Sequence, residues 1–246
     1  MPNDIKLEIV STKGEKNWRP YLRQQEGKTI IVDELANYPY NGIGKLFIHE
    51  GKGRHQFGSA FKVAPNVLMT AAHCLANVVE ERAYHFSDIT YCPIFPYHGQ
   101  SYTAIGLTIP DSYITFKHTE HDYGFIIFDT ELPGNILPID SNPAQTGMCF
   151  SIGYPDSYQY FGDKMIQAYG NYDKPYLQEM ILMYGNDMRS GCSGGPIIDG
   201  KSGKVISLNS SNIDGENSQR MSGPLMRAEI FTALEELAET LNLPLV

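Results

Sequence analysis

At 246 residues the chain is long enough for one large domain or two small ones, and it can bury a core without a metal or disulfide staple. Hydrophobic residues make up 42% and charged residues 19%, a balance that excludes intrinsic disorder. Lys and Arg number 19 against 28 Asp and Glu, and the net charge of −9 argues against nucleic-acid binding, because phosphate neutralisation needs basic patches.

Residues 1–29 are polar and lack a clear period, which reads as an arm, a propeptide or a wrap-around extension. Their start, Met1 to Pro20, has no basic segment followed by an apolar run, so it does not read as a secretory signal. Beyond it come short apolar or alternating runs: Lys45–His49, Ser59–Val63, Gly124–Asp129, Met148–Ile152, Leu177–Tyr184, Pro196–Ile198 and Val205–Leu208. Turn formers such as Pro65-Asn66, Pro133-Gly134-Asn135 and Asp199-Gly200 separate them. With Gly 23, Pro 15 and Tyr 16, this spacing predicts an all-β barrel or sandwich. Arg227–Leu241 differs: Ile230, Leu234, Leu237 and Leu241 recur at helical steps, Glu235, Glu236 and Glu239 fall between them, and Pro244 follows. That is an amphipathic helix packed on the barrel. No apolar stretch approaches the ~20 residues a membrane helix needs, so membrane insertion is not expected.

Three segments carry chemistry: Thr70-Ala71-Ala72-His73-Cys74, His121-Asp122-Tyr123-Gly124, and Gly191-Cys192-Ser193-Gly194-Gly195-Pro196. They offer His, Asp and Ser in that order, 49 and 71 residues apart. A serine hydroxyl is a weak nucleophile that needs a neighbouring base. An imidazole can take its proton and return it to the leaving group. A buried carboxylate fixes the imidazole tautomer and stabilises the imidazolium. Glycines beside Ser193 let the backbone turn sharply, so that the amides of Gly191 and Ser193 form an oxyanion hole, each such donor contributing about 2.7–4 kcal/mol. Asp88 and Asp111 also lie between His73 and Ser193, but neither precedes a run like Phe125-Ile126-Ile127-Phe128 that would bury a carboxylate at a strand edge.

Thr-Ala-Ala-His-Cys and Gly-x-Ser-Gly-Gly-Pro resemble the signatures of chymotrypsin-fold (trypsin-like) serine proteases, as does the His…Asp…Ser order. The closer resemblance is to the bacterial glutamyl endopeptidase branch, through Tyr38–Gly44, Asp122-Tyr123-Gly124, Gly153-Tyr154-Pro155 and Leu225-Met226-Arg227, and it covers roughly residues 38–240. The resemblance implies two six-stranded antiparallel β-barrels with a C-terminal helix, folded as one catalytic domain over residues 30–246. It implies serine endopeptidase activity through an acyl-enzyme on Ser193, without metal or cofactor. A protein or peptide substrate would lie as an extended strand along Ser207–Ser211. The specificity pocket would include Asp187, Asn209, Ser210 and Ser211. Asp187 falls where trypsin selects Lys or Arg, yet the glutamyl branch often has Asp there without that preference. Asn209 replaces the histidine with which that branch reads a carboxylate. An uncharged amide does not carry glutamate preference over to this chain.

Two departures from the family matter. Cys192 replaces the aspartate that pairs with a new N-terminus in trypsin-like activation, so Thr29–Val32 reads as strand or arm rather than an activation sequence. Cys192 also sits one residue too early to be the nucleophile of the family's viral cysteine proteases, so its side chain should point away from His73. Cys74 and Cys149 lack their family partners, since Gly58 stands at one position and Asp199–Lys204 contains no cysteine. That pattern implies reduced, buried thiols and weakly favours an intracellular site, or secretion by a route without an N-terminal signal; a Cys74–Cys92 pair remains open. Asn209-Ser210-Ser211 is also a glycosylation acceptor sequence, and a sugar there would block the cleft. An alternative reading is a silenced or zymogen-like binding protein on a protease scaffold, motivated by residues 1–29 and the missing activation aspartate.

Overall fold

A computed structural model describes residues 29–51, 53–77, 79–95, 99–156, 163–174, 179–185, 188–213 and 220–240. In chain order, β1 (Thr29–Ile31) precedes β2 (Ile43–Gly51), β3 (Arg54–Ala64) and β4 (Val67–Thr70). Next come β5 (Ala76–Asn77), β6 (Arg82–Ala83), β7 (Ile89–Pro93), β8 (Tyr102–Thr103), β9 (Gly106–Thr108), helix α1 (Asp111–Phe116) and β10 (Gly124–Ile127). The second half holds β11 (Thr146–Gly153), β12 (Ile166–Asp173), β13 (Met180–Tyr184), β14 (Pro196–Asp199), β15 (Val205–Leu208), β16 (Ser211–Asn212), β17 (Arg220–Pro224) and helix α2 (Ala228–Thr240).

The strands form two curled antiparallel sheets. The first runs β8-β7-β2-β3-β4-β10-β9, and its two ends are halves of one bent strand. Tyr102 and Thr103 pair with β7, whereas Gly106–Thr108 pair with β10. At the bend Ala104 N donates to Ile89 O and Ile105 N to Ile127 O, so the seven segments close as six. The second sheet runs β15-β14-β11-β12-β13-β17-β16. Its bent strand is Val205–Asn212, which pairs with β14 before the bend at Asn209-Ser210 and with β17 after it. β1 adds an eighth strand on β12, with Thr29 opposite Ala168. The six-stranded barrels implied by the sequence are thus present, each closed by a strand that changes partner midway. Thr29–Ile31 is a strand of the second sheet, and residues 1–28 of the expected arm lie outside the described residues.

The apolar runs are nearly continuous because both faces of these strands are covered. In β4 Leu68 points into the first barrel, while Val67 and Met69 point into the layer between barrels. In β10 Ile126 and Phe125 divide likewise, and in β14 Ile197 fills the second barrel while Ile198 faces the shared layer. Each fully buried Leu, Ile or Phe contributes about 1.5–3 kcal/mol, so these alternating strands hold barrel and interface together. Helix α2 closes the shared layer with Ile230 and Leu234, and Leu237 packs against it, as the helical spacing predicts; Leu241 and Pro244 lie outside the described residues. The chain between barrels is held by Lys62, whose buried ammonium donates to the carbonyls of Leu132 and Gly134. No described helix is long and apolar enough to cross a membrane.

Candidate active site

The β4–β10 ladder positions the first two candidates. Its last pair is Thr70 with Gly124, so the chain beyond Thr70 and the chain before Gly124 leave the same end of the barrel side by side. After Thr70 the small, buried Ala71 and Ala72 admit a 3₁₀ turn, Ala72–Cys74, that presents His73. Before Gly124 another 3₁₀ turn, Thr119–His121, ends on Asp122. Asp122 Oδ1 accepts from the backbone N–H of His73 at 2.9 Å, and Oδ2 lies 2.8 Å from His73 Nδ1. Ser210 Oγ donates to the same Oδ2 at 2.5 Å. Asp122 is buried, whereas the His73 side chain keeps 31% of its surface open. The other acidic candidates are elsewhere: Asp88 closes the turn Phe86–Asp88 and Asp111 begins α1.

Burial alone disfavours a charged imidazole, but the Asp122 carboxylate outweighs it and holds the His73 pKa well above the ordinary value of 6.5. On Asp122 burial favours the neutral acid, and His73 together with Ser210 overcomes it, keeping the carboxyl below its usual range. The pair therefore fixes the ring: the proton faces Asp122 on Nδ1, leaving Nε2 to act as the base.

Ser193 comes from the second barrel, in the loop before β14. Its carbonyl accepts from Ser59 N at 2.8 Å, and the Cys74 thiol lies 3.8 Å from the same oxygen, so Ser193 is anchored beside the residue that follows His73. Ser190 O accepts from Asp156 N at 2.7 Å, and Cys192 O accepts from Gly195 N at 2.9 Å. A trans peptide points its N–H opposite its carbonyl, so the amides of Gly191 and Ser193 face away from these contacts. Among the described residues neither amide has an acceptor. Gly191 adopts φ +89°, and a Cβ there would lie 2.5 Å from Asp156 N and Tyr154 O. Gly194, at φ +81°, would place one 1.9 Å from Thr70 Oγ1. Both positions exclude any side chain, through backbone conformation and through space.

Ser59, which sequence reasoning missed, ties this loop to the first barrel. It is fully buried in β3; its hydroxyl donates to Gly191 O and accepts from Tyr154 N, each at 2.9 Å. Its own carbonyl accepts from Thr70 Oγ1 at 2.7 Å. The only trace in the sequence is a small polar residue within an apolar strand.

A cavity of about 330 Å³ opens beside Ser193, lined by Met188, Cys192, Asn209, Ser210, Ser211, Asn212 and Met221 among others. Three of the four pocket candidates therefore meet there, and Asp187 lies outside the described residues. Ser210 also touches Asp122, which gives it a second contact the sequence reading did not assign. Asn209 is buried, its Nδ2 donating to Ile152 O at 3.4 Å, so its amide donor is already directed at the backbone. That burial also removes Asn209 from reach of a glycosylating enzyme in the folded chain. Of the segment Ser207–Ser211, Ser207 and Leu208 are fully buried within β15 and do not line the cavity. Ser210–Asn212 borders the cavity, and β16 ends its sheet. A second cavity, about 710 Å³, extends from His73 past Glu50, Gln56, Asn77 and Arg82.

None of the four cysteines forms a disulfide, the Cys74–Cys92 pair included. Cys192 is buried among Cys149, Met183, Met188 and Ile197 of the second barrel and only borders the cavity beside Ser193. A Cβ on Gly58 would stand 3.0 Å from Cys74 Sγ, where the family cysteine would sit. Asp199 stands opposite Cys149 and accepts from Lys201 N, Ser202 N and Tyr172 OH, closing the turn by hydrogen bonds.

Two closed barrels with a His–Asp pair at the end of one and a glycine-braced serine loop on the other define a chymotrypsin-fold protease. The chain belongs to the trypsin-like peptidase domain family, whose family model matches residues 58–208, more than half of its length. Among solved structures, a Glu endopeptidase in complex with MPD is similar at 20% identity and TM-score 0.72, covering 87% of this chain and 97% of its own. The protease Anisep from Arthrobacter nicotinovorans is similar at 26% identity and TM-score 0.67, covering 81% and 96%. The thermostable serine protease AL20 from an extremophilic microorganism shares 22% identity at TM-score 0.68, covering 81% and 98%. No curated protein sequence matches the chain.

Proposed function

We propose that the protein is an active serine endopeptidase in which Ser193 attacks the scissile carbonyl. His73 takes the Ser193 proton on Nε2 and returns it to the leaving amine, Asp122 holds the ring, and the acyl-enzyme is then hydrolysed by water. The amides of Gly191 and Ser193 stabilise the oxyanion. The observation that carries this reading is the Asp122 carboxylate, which accepts from both the backbone and the ring of His73 while buried beneath it. A carboxylate that only stabilised the fold would not need to touch the imidazole. The substrate is a peptide laid in extended form against Ser210–Asn212, with one side chain in the 330 Å³ cavity and the leaving segment running past His73. No metal or cofactor takes part in this reaction.

The test is labelling by a fluorophosphonate probe. Wild-type protein is expected to react, and Ser193→Ala is expected to lose both labelling and peptide hydrolysis. Undiminished labelling of Ser193→Ala would refute the nucleophile. A silenced scaffold would give no labelling of the full chain or of a chain beginning at Gly27, and a zymogen would react only after that truncation.

A further inference from the structure

We propose that His118, Glu120 and His121 form a binding site for one divalent cation of the zinc class, set on the turn that delivers Asp122 and separate from the proteolytic reaction. Each of the three side chains brings one ligand atom to within 4.8 Å of the others. Two imidazoles and a carboxylate make an N₂O donor set that suits Zn²⁺, Co²⁺ or Ni²⁺, whereas Ca²⁺ and Mg²⁺ favour all-oxygen sites. Zinc–ligand bonds of about 2.0–2.2 Å in tetrahedral array place ligand atoms roughly 3.4 Å apart, so the widest pair needs to contract by about 1.4 Å. A water fills the fourth position.

The backbone already aims these groups. Thr119–His121 is a 3₁₀ turn, and side chains three residues apart in such a turn eclipse one another, which puts His118 and His121 on one side. Their rings lie within 19° of parallel with centroids 6.1 Å apart. The turn is fixed by His121 N to His118 O at 2.9 Å, Asp122 N to Thr119 O at 3.1 Å and Tyr123 N to His121 O at 2.8 Å. His118 Nδ1 stands 3.5 Å from Glu120 Oε1, too long for a good hydrogen bond but suited to two ligands of a shared ion. A separate observation also points to a ligand: His121 Nδ1 is buried and has no hydrogen-bond partner. A buried ring nitrogen without a partner is costly, and ligation of the ring with reorientation toward the ion relieves that cost. His118 and Glu120 remain open to solvent, giving the ion a route in.

The rival histidines are less well equipped. His49 and His55 meet edge to face at 4.8 Å between centroids, but the nearby Glu50 carboxylate already accepts from Gln56 and Tyr84. His73 has its Nδ1 against Asp122.

Co²⁺ titration of the full chain, followed by its visible absorption and by displacement with Zn²⁺, tests the site without reference to activity. One saturable equivalent is expected. His118→Gln and Glu120→Gln should each weaken binding at least about tenfold, since even outer partners of metal ligands are worth 10–100-fold. His49→Gln should leave it unchanged, and prior phosphonylation of the active site should not block it. Because the His118 side chain keeps 52% of its surface open and that of Glu120 34%, unchanged thermal midpoints are expected for both variants. No saturable binding, binding indifferent to both substitutions, binding lost in His49→Gln, or binding blocked by the phosphonate would overturn the proposal.

Discussion

Replacing Ser59 with Ala tests whether the first barrel shapes the serine loop. The substitution removes one hydroxyl that donates to Gly191 O and accepts from Tyr154 N, both at 2.9 Å in a fully buried position. Each buried group left unsatisfied costs about 1–3 kcal/mol, so the folded loop loses roughly 2–6 kcal/mol of support. The backbone bond from Ser59 N to Ser193 O survives, so Ser193 should stay anchored to the first barrel. What loosens is the chain around Gly191, whose amide is assigned to the oxyanion. Loss of one such donor costs about 10²–10³ in kcat. Steady-state kinetics on a chromogenic peptide should therefore show kcat falling by that order with KM changed far less, and phosphonate labelling slowed but still confined to Ser193. A variant with a lower thermal midpoint but wild-type kcat and labelling rate would refute the reasoning, leaving Ser59 a packing residue only.

Other outcomes follow from the same geometry. Asp122→Asn should lower kcat by about 10⁴, the behaviour of triads whose carboxylate is neutralised, with the fold retained by circular dichroism. The general base must be neutral, so hydrolysis should rise with pH through the His73 pKa, and the acid limb of kcat/KM should have its midpoint above pH 6.5. The same linkage acts on stability. His73, raised on folding, contributes below its unfolded pKa and loses that contribution as pH climbs through the folded value, while the lowered Asp122 loses its contribution as pH falls through its own. Gly58→Cys should form a disulfide with Cys74 under oxidising conditions, stabilising by about 3 kcal/mol for a loop of that size, read as a midpoint shift reversed by reductant. With the Asn209 amide donor turned to Ile152, a peptide library should show glutamate cleaved no faster than glutamine at the pocket position.

The sequence carried the strands whose two faces are both buried, because runs such as Phe125-Ile126-Ile127 and Pro196-Ile197-Ile198 are apolar throughout. It did not carry β12, where Gln167, Gly170 and Asn171 interrupt the pattern. Gln167 is accepted because its side chain reaches Tyr40 OH at 2.8 Å. Helix α1 was also unreadable: Asp111–Phe116 is under two turns, too short for a helical period, and stops where Lys117 turns left-handed at φ +55°. At the site, His73, Asp122 and Ser193 announced themselves through the small residues and glycines that tight turns require. Ser59 and the second contact of Ser210 did not, because a serine acquires its role from what the other barrel places against it.

Peptide mapping of the fluorophosphonate-treated protein by mass spectrometry tests the central claim most directly. The account predicts a single phosphonyl adduct on Ser193, suppressed in His73→Ala. An adduct on Ser210 or Cys192 with Ser193 unmodified, or no adduct on the full chain or on the chain beginning at Gly27, would contradict it.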